Sequence, residues 1–136
     1  MVNMFAVGQK SVVWARRLLV LSLVGVLVAA VVPYGSKTNS VVVFSMGLDK
    51  ILHFAGFGLM TFFAIGAGRG LPGWKRFLLL VLVPVLGVVI EAIQYFLPYR
   101  AYNPVDILAN MCGVISGMAV WGLIIYSRRG AKAQRG

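Results

Sequence analysis

Long apolar runs alternate with short polar interruptions along this chain, and the runs have the length of membrane crossings. Four stretches approach the roughly 20 residues that a helix needs to cross a hydrocarbon layer of about 30 Å. They run from about Val12 to Val32, from Leu48 to Gly68, from Trp74 to Leu97, and from just after Pro104 to about Tyr126. The first ends at Pro33-Tyr34, the third contains Pro84 and Gly87, and the fourth opens on a proline. Proline suits a first turn, whose N–H groups have no intrahelical partner. Trp14, Tyr34, Trp74, Tyr95, Tyr99, Tyr102 and Tyr126 fall at or near run ends, where aromatic side chains anchor helices at the interface. Trp121 lies deeper and reads as packing. The segment Val41 to Met46 is too short to span and reads as interfacial or as an extension of the second helix. The pattern predicts an all-α membrane protein: one domain over residues 1–136, built as a bundle of four transmembrane helices.

Composition supports this reading. The mean hydropathy is +0.91, and 12 % of residues are charged, about half the share usual in soluble domains. A net charge of +10 would suggest nucleic acid in a soluble protein. Here the cations lie between and beyond the apolar runs, where topology and anionic lipid account for them, and no nucleic-acid-binding motif is present. Lys10, Arg16, Arg17, Arg69, Lys75, Arg76, Arg128, Arg129, Lys132 and Arg135 share one side of the predicted membrane, against Lys37, Lys50 and Arg100 on the other. The excess places both termini in the cytoplasm, with residues 127–136 as a basic tail on lipid headgroups. The first run, with its basic flank, also has features of a secretory leader. Its only small-residue cleavage candidate, Val28-Ala29-Ala30, is followed by more apolar residues, so a retained span is expected. The single cysteine, Cys112, excludes an intrachain disulfide.

Against this background the scarce acids stand out. The chain has three carboxylates and one histidine, and all four fall in three short patterns at the expected outer ends of spans: Asp49-Lys50-x-x-His53, Glu91-x-x-Gln94 and Arg100-x5-Asp106-x3-Asn110. A charge at the centre of a membrane span costs roughly 2.5–3.5 kcal/mol on insertion scales, and such residues usually mark a working site. Helical spacing aligns Asp49, His53, Gly56 and Met60 on the second helix and Asp106, Asn110, Gly113 and Gly117 on the fourth. On the third it aligns Pro84, Gly87, Glu91, Tyr95 and Pro98, with Gln94 to one side. Turning these faces to a common axis gathers the polar groups into one outward-opening pocket and leaves Cys112 outside it. Gly113-x3-Gly117 reads first as a helix-packing motif. Lys50 reads equally as an interfacial cation, and His53 with Asp49 as a structural pair. Glu91, well inside its span, must be paired, protonated or functional.

The three patterns, in this order and spacing, resemble the VanZ-like family of small bacterial membrane proteins. The matching elements are Asp49-Lys50-x-x-His53-Phe54 with Phe57-Gly58-Leu59, Glu91-x-x-Gln94-Tyr95-Phe96-x-Pro98-x-Arg100, and Asp106-x3-Asn110-x-x-Gly113-x3-Gly117, over roughly residues 34–125. The resemblance implies a multi-pass protein of the bacterial cytoplasmic membrane, tied to the cell envelope. The family takes its name from a protein associated with teicoplanin resistance, and most of its members have no assigned activity.

Two functions of different class follow. In the first, the site binds or processes the headgroup of an envelope lipid or lipid-linked precursor. Lys50 and Arg100 would clamp phosphate or carboxylate, and Asp49, Gln94 and Asn110 would orient the polar group. His53, Glu91 and Asp106 are the candidate catalytic groups, able to move protons near neutral pH. Thr61, Ser116 and Cys112 lie off the polar set, so activated water is a better nucleophile than a side chain. In the second, a non-catalytic module binds a glycopeptide antibiotic or a partner protein, and the polar residues form a structural ion-pair network. Asp49, His53, Glu91 and Asp106 together suit Mg, Mn or Zn by ligand type, but nothing resembles a dedicated metal motif and no cofactor is expected. Proton-coupled transport is disfavoured, because no relay of ionisable groups crosses to the other side.

Overall fold

The computed structural model describes residues 4–32, 42–43, 46–99 and 103–134. Four helices make up the described chain, α1 (Met4–Val31), α2 (Leu48–Ala67), α3 (Gly73–Tyr95) and α4 (Pro104–Ala133). Each contains a segment long and apolar enough to cross a membrane, Gln9–Val31, Leu48–Ala67, Gly73–Tyr95 and Pro104–Arg128. At 1.5 Å per residue, the shortest of these, 20 residues long, spans about 30 Å. Pro84 sits inside α3 without ending it. α4 continues past Tyr126 into what the sequence marks as a basic tail, so much of that tail is helical.

The residues just before α2 form a short ribbon and do not extend that helix. Val42–Val43 (β1) and Met46–Gly47 (β2) pair antiparallel, Val42 opposite Gly47 and Val43 opposite Met46. Gly70, in the turn from α2 to α3, has φ +86°, a backbone region that favours glycine.

Packing is arranged for a bilayer. Large apolar side chains face outward on every helix, among them Leu21, Leu59, Val88, Leu108 and Leu123. A continuous exposed apolar belt of this kind far exceeds what a soluble monomer carries. The interior holds Phe57, Met60, Ala64, Val83, Ile90 and Val114, together with five buried polar residues, Thr61, Glu91, Gln94, Asp106 and Asn110.

α2 and α4 pack most closely and run parallel. A methyl group built on Gly113 would fall on the Phe54 carbonyl oxygen and 3.0 Å from the Gly58 nitrogen, and one on Gly117 would lie 2.5 Å from the Gly58 carbonyl oxygen. The two backbones therefore touch with no side chain between them, as the small-residue spacing predicts. Further along the same seam, Trp121 lies edge-on to Phe62 at 5.1 Å between ring centroids, the packing role expected of it.

The inward face of α3 differs from expectation. Gly87 and Glu91 are buried, but the next inward residue is Gln94, while Tyr95 is 68 % exposed. The Gln94 amide donates to the Ala30 carbonyl oxygen at 3.2 Å. That carbonyl belongs to the last turn of α1, where the helix itself supplies no donor.

Candidate functional site

The parallel seam between α2 and α4 brings the polar residues into register. Lys50 meets Asp106, His53 meets Asn110, and one turn deeper the glycine contacts begin. Two of the three acids at this end occupy first helical turns. Asp49 lies in the first turn of α2, where a negative charge faces the positive end of the helix dipole. Asn103 caps α4, its side-chain oxygen accepting the Val105 N–H at 3.1 Å, and Pro104 takes the first helical position. Asp106 is thus delivered to the interior of the bundle, where it is 2 % exposed.

His53 is the hub. Its Nδ1 lies 2.9 Å from the Asn110 side-chain oxygen, which can only accept, so this contact places the proton on Nδ1. The same nitrogen is 3.7 Å from a Glu91 carboxylate oxygen. Nε2 faces the Asp49 carboxylate at 3.8 Å. Carboxylates therefore flank both nitrogen edges of the ring, where they would stabilise the imidazolium formed when the ring takes a proton. Lys50 Nζ approaches Asp106 Oδ1 at 3.4 Å. The Asn110 amide nitrogen is buried and finds no acceptor among the described residues. Gly87 makes room for it: a methyl built there would lie 3.2 Å from that nitrogen and 3.2 Å from the Phe57 ring.

Of the eight residues singled out from sequence, Asp49, Lys50, His53, Glu91, Asp106 and Asn110 converge at this end of the bundle. Gln94 sits one turn from Glu91 but is engaged with α1. Arg100 lies outside the described residues. α3 ends at Tyr95, before the expected end at Leu97, which puts Glu91 about one turn inside the helix rather than well inside it. Thr61 Oγ1 donates to the Phe57 carbonyl at 2.8 Å, and Cys112 is exposed on another face. Neither is placed as a nucleophile.

Asp49, His53 and Asp106 each present one donor atom within 4.8 Å of the others, a mixed oxygen–nitrogen set compatible with Mn or Zn chemistry. Glu91 stands at the opposite edge of the imidazole and does not join this trio. The Lys50 ammonium already supplies a positive charge beside Asp106. Removing it in Lys50→Met takes the ammonium from beside a buried carboxylate and is expected to cost about 3 kcal/mol, the low end for a broken buried pair, because the lysine side chain is 28 % exposed. Thermal unfolding in detergent measures the loss, and adding Asp106→Asn restores most of it.

Sequence reasoning predicted α1 as a span but gave it no part in the site. The Asp49–His53 corner opens into a cleft of about 310 Å³ between α1 and α2, walled by Ser22, Gly25, Ala29 and Gly56. The spacing Gly25-x3-Ala29 opposite Gly56 was a readable signal, because small residues at one-turn intervals leave either a close contact or a groove.

The VanZ/LLP1 family profile matches residues 4–125, all of α1 to α3 and most of α4. The chain belongs to this family and is a membrane protein with four apolar helices. No curated protein and no solved structure matches it.

Proposed function

We propose that this chain binds or processes the headgroup of an envelope lipid or lipid-linked precursor at the outer face of the bacterial cytoplasmic membrane, with both termini inside. What supports the reading is the union of two surfaces. The Asp49 carboxylate and the His53 imidazole open into a largely apolar cleft, with Lys50, Asp106 and Glu91 beside them, which suits a molecule with a charged head and a hydrocarbon tail. His53 accepts a proton at Nε2 from a water directed at the headgroup, while Asn110 holds the ring and Asp49 and Glu91 stabilise its charge. Lys50 and Arg100 receive the anionic part of the ligand. In the producing cell this activity alters the precursors that glycopeptides recognise, which would link the protein to teicoplanin resistance.

The alternative is a non-catalytic module that binds antibiotic or a partner protein. The cross-helix contacts Lys50–Asp106, His53–Asn110 and Gln94–Ala30 favour it, since each also holds helices together. Teicoplanin susceptibility separates the two readings. Bacteria expressing wild type are expected to gain resistance, and Glu91→Gln and Asp106→Asn at matched membrane levels to lose it. Resistance kept by both isosteric variants would turn the assignment toward the passive module.

A further inference from the structure

At the end of the bundle opposite the polar site, a second cavity of about 520 Å³ opens among Phe62 and Ile65 of α2, Arg69 of the following turn, Arg76 of α3, and Trp121 and Arg128 of α4. Its chemistry is the reverse of the first. Three guanidinium groups line it with aromatic and aliphatic walls, and no Asp or Glu lines it. The chain has only three acids, and all belong to the other end.

The arginines are arranged rather than merely gathered. Arg69 stacks over the Trp121 ring at 5.3 Å, while its Nη2 donates to Ser11 Oγ at 3.2 Å and its Nε lies 3.4 Å from the Gly66 carbonyl. Arg76 donates Nε to the Leu71 carbonyl at 2.7 Å, which fixes the guanidinium and leaves its terminal nitrogens without an acceptor among the described residues. Arg128 has no acceptor among them either.

From this juxtaposition we infer a site for the phosphodiester headgroup of an anionic phospholipid in the leaflet at this end, its acyl chains lying against Phe62, Ile65 and the apolar flank of α4. Guanidinium groups pair with phosphate oxygens in a planar, two-pronged geometry. Basic pockets between membrane helices bind lipid headgroups of this kind. A soluble anion would satisfy the arginines but leave the apolar walls uncovered, so the acyl chains distinguish a lipid from free phosphate. The bound lipid would clamp the start of α3 to the C-terminal part of α4, elements that the seam between α2 and α4 does not join. This inference is independent of the chemistry at the Asp49–His53 corner.

The test uses the full chain purified in a neutral detergent, titrated with dioleoyl phosphatidylglycerol, dioleoyl phosphatidylcholine or inorganic phosphate, with bound lipid counted by native mass spectrometry. Phosphatidylglycerol is expected to bind saturably and to raise the thermal midpoint, and the other two to do neither. Each arginine near anionic headgroups contributes roughly a fivefold factor in affinity, so Arg76→Gln/Arg128→Gln is expected to weaken binding roughly 25-fold. Arg128→Lys, which keeps the charge but loses the fork, should fall between. All these positions are exposed, so the variants should fold, which the midpoint without lipid checks. Unchanged phosphatidylglycerol affinity in the double variant, equal binding of phosphatidylcholine, or saturation by phosphate alone would each overturn the inference.

Discussion

Gly113→Val is expected to remove most folded protein from the membrane, and the reason is backbone rather than side-chain packing. Even a single methyl at this position meets the Phe54 carbonyl oxygen and the Gly58 nitrogen of α2. Neither can rotate aside, because both are fixed in helical hydrogen bonding, so the helices must separate. Overpacking of a tight interior ordinarily costs about 1–3 kcal/mol, and a clash with backbone should reach the upper end. Gly117→Val should behave similarly, since its built methyl lies 2.5 Å from the Gly58 carbonyl oxygen and 3.0 Å from Thr61 Cβ. Gly122→Val on the same helix is the control. Nothing lies within 4 Å of a methyl there, and its intrinsic effect on the helix is shared with the other two. The thermal midpoint in detergent should drop sharply for Gly113 and Gly117 and little for Gly122. Because the same seam sets Lys50 against Asp106 and His53 against Asn110, any Gly113 variant that still folds should also lose the polar site.

The α4 side of that seam was legible in sequence because its residues repeat at helical spacing. Asp106, Asn110, Gly113 and Gly117 define one stripe, and all four are buried. On α2 the contact runs through Phe54 and Gly58, and Gly56 of the expected stripe faces α1 instead. The face of α3 was less legible. Gln94 and Tyr95 lie on either side of the Glu91 direction, three and four residues on, and periodicity alone does not choose between them. The choice falls to a neighbour: the last turn of α1 offers the Ala30 carbonyl, which only a donor on the Gln94 side can satisfy. Tyr95 is left to the surface, edge-on to Phe96 at 5.4 Å. The β-ribbon before α2 was hidden for a different reason, since strands of two residues carry no alternation to detect. The cleft beside His53 depends on which face of α1 meets α2. α1 is apolar around its whole circumference in the membrane, so its composition does not mark that face, and only its small residues hint at it.

His53 carries the second large effect. If it is the base of a hydrolytic reaction, His53→Ala should lower turnover by roughly 10²–10⁴-fold, the usual contribution of a positioned proton-transfer group. Truncation also removes the hydrogen bond to Asn110 at 2.9 Å, so alanine alone would mix chemistry with stability. His53→Gln separates them, because its amide can still donate to the Asn110 oxygen but cannot accept and release a proton near neutral pH. Envelope lipids extracted from cells expressing wild type, either His53 variant, or no protein would be compared by mass spectrometry at matched membrane levels. The change produced by wild type should vanish in both variants, while Cys112→Ser, altered on an exposed face away from the polar corner, should keep it. A lipid profile that survives His53→Gln but not His53→Ala would assign the imidazole to holding α2 against α4. The Asp49–His53 corner would then be a strut, and the cleft beside it a binding surface without chemistry.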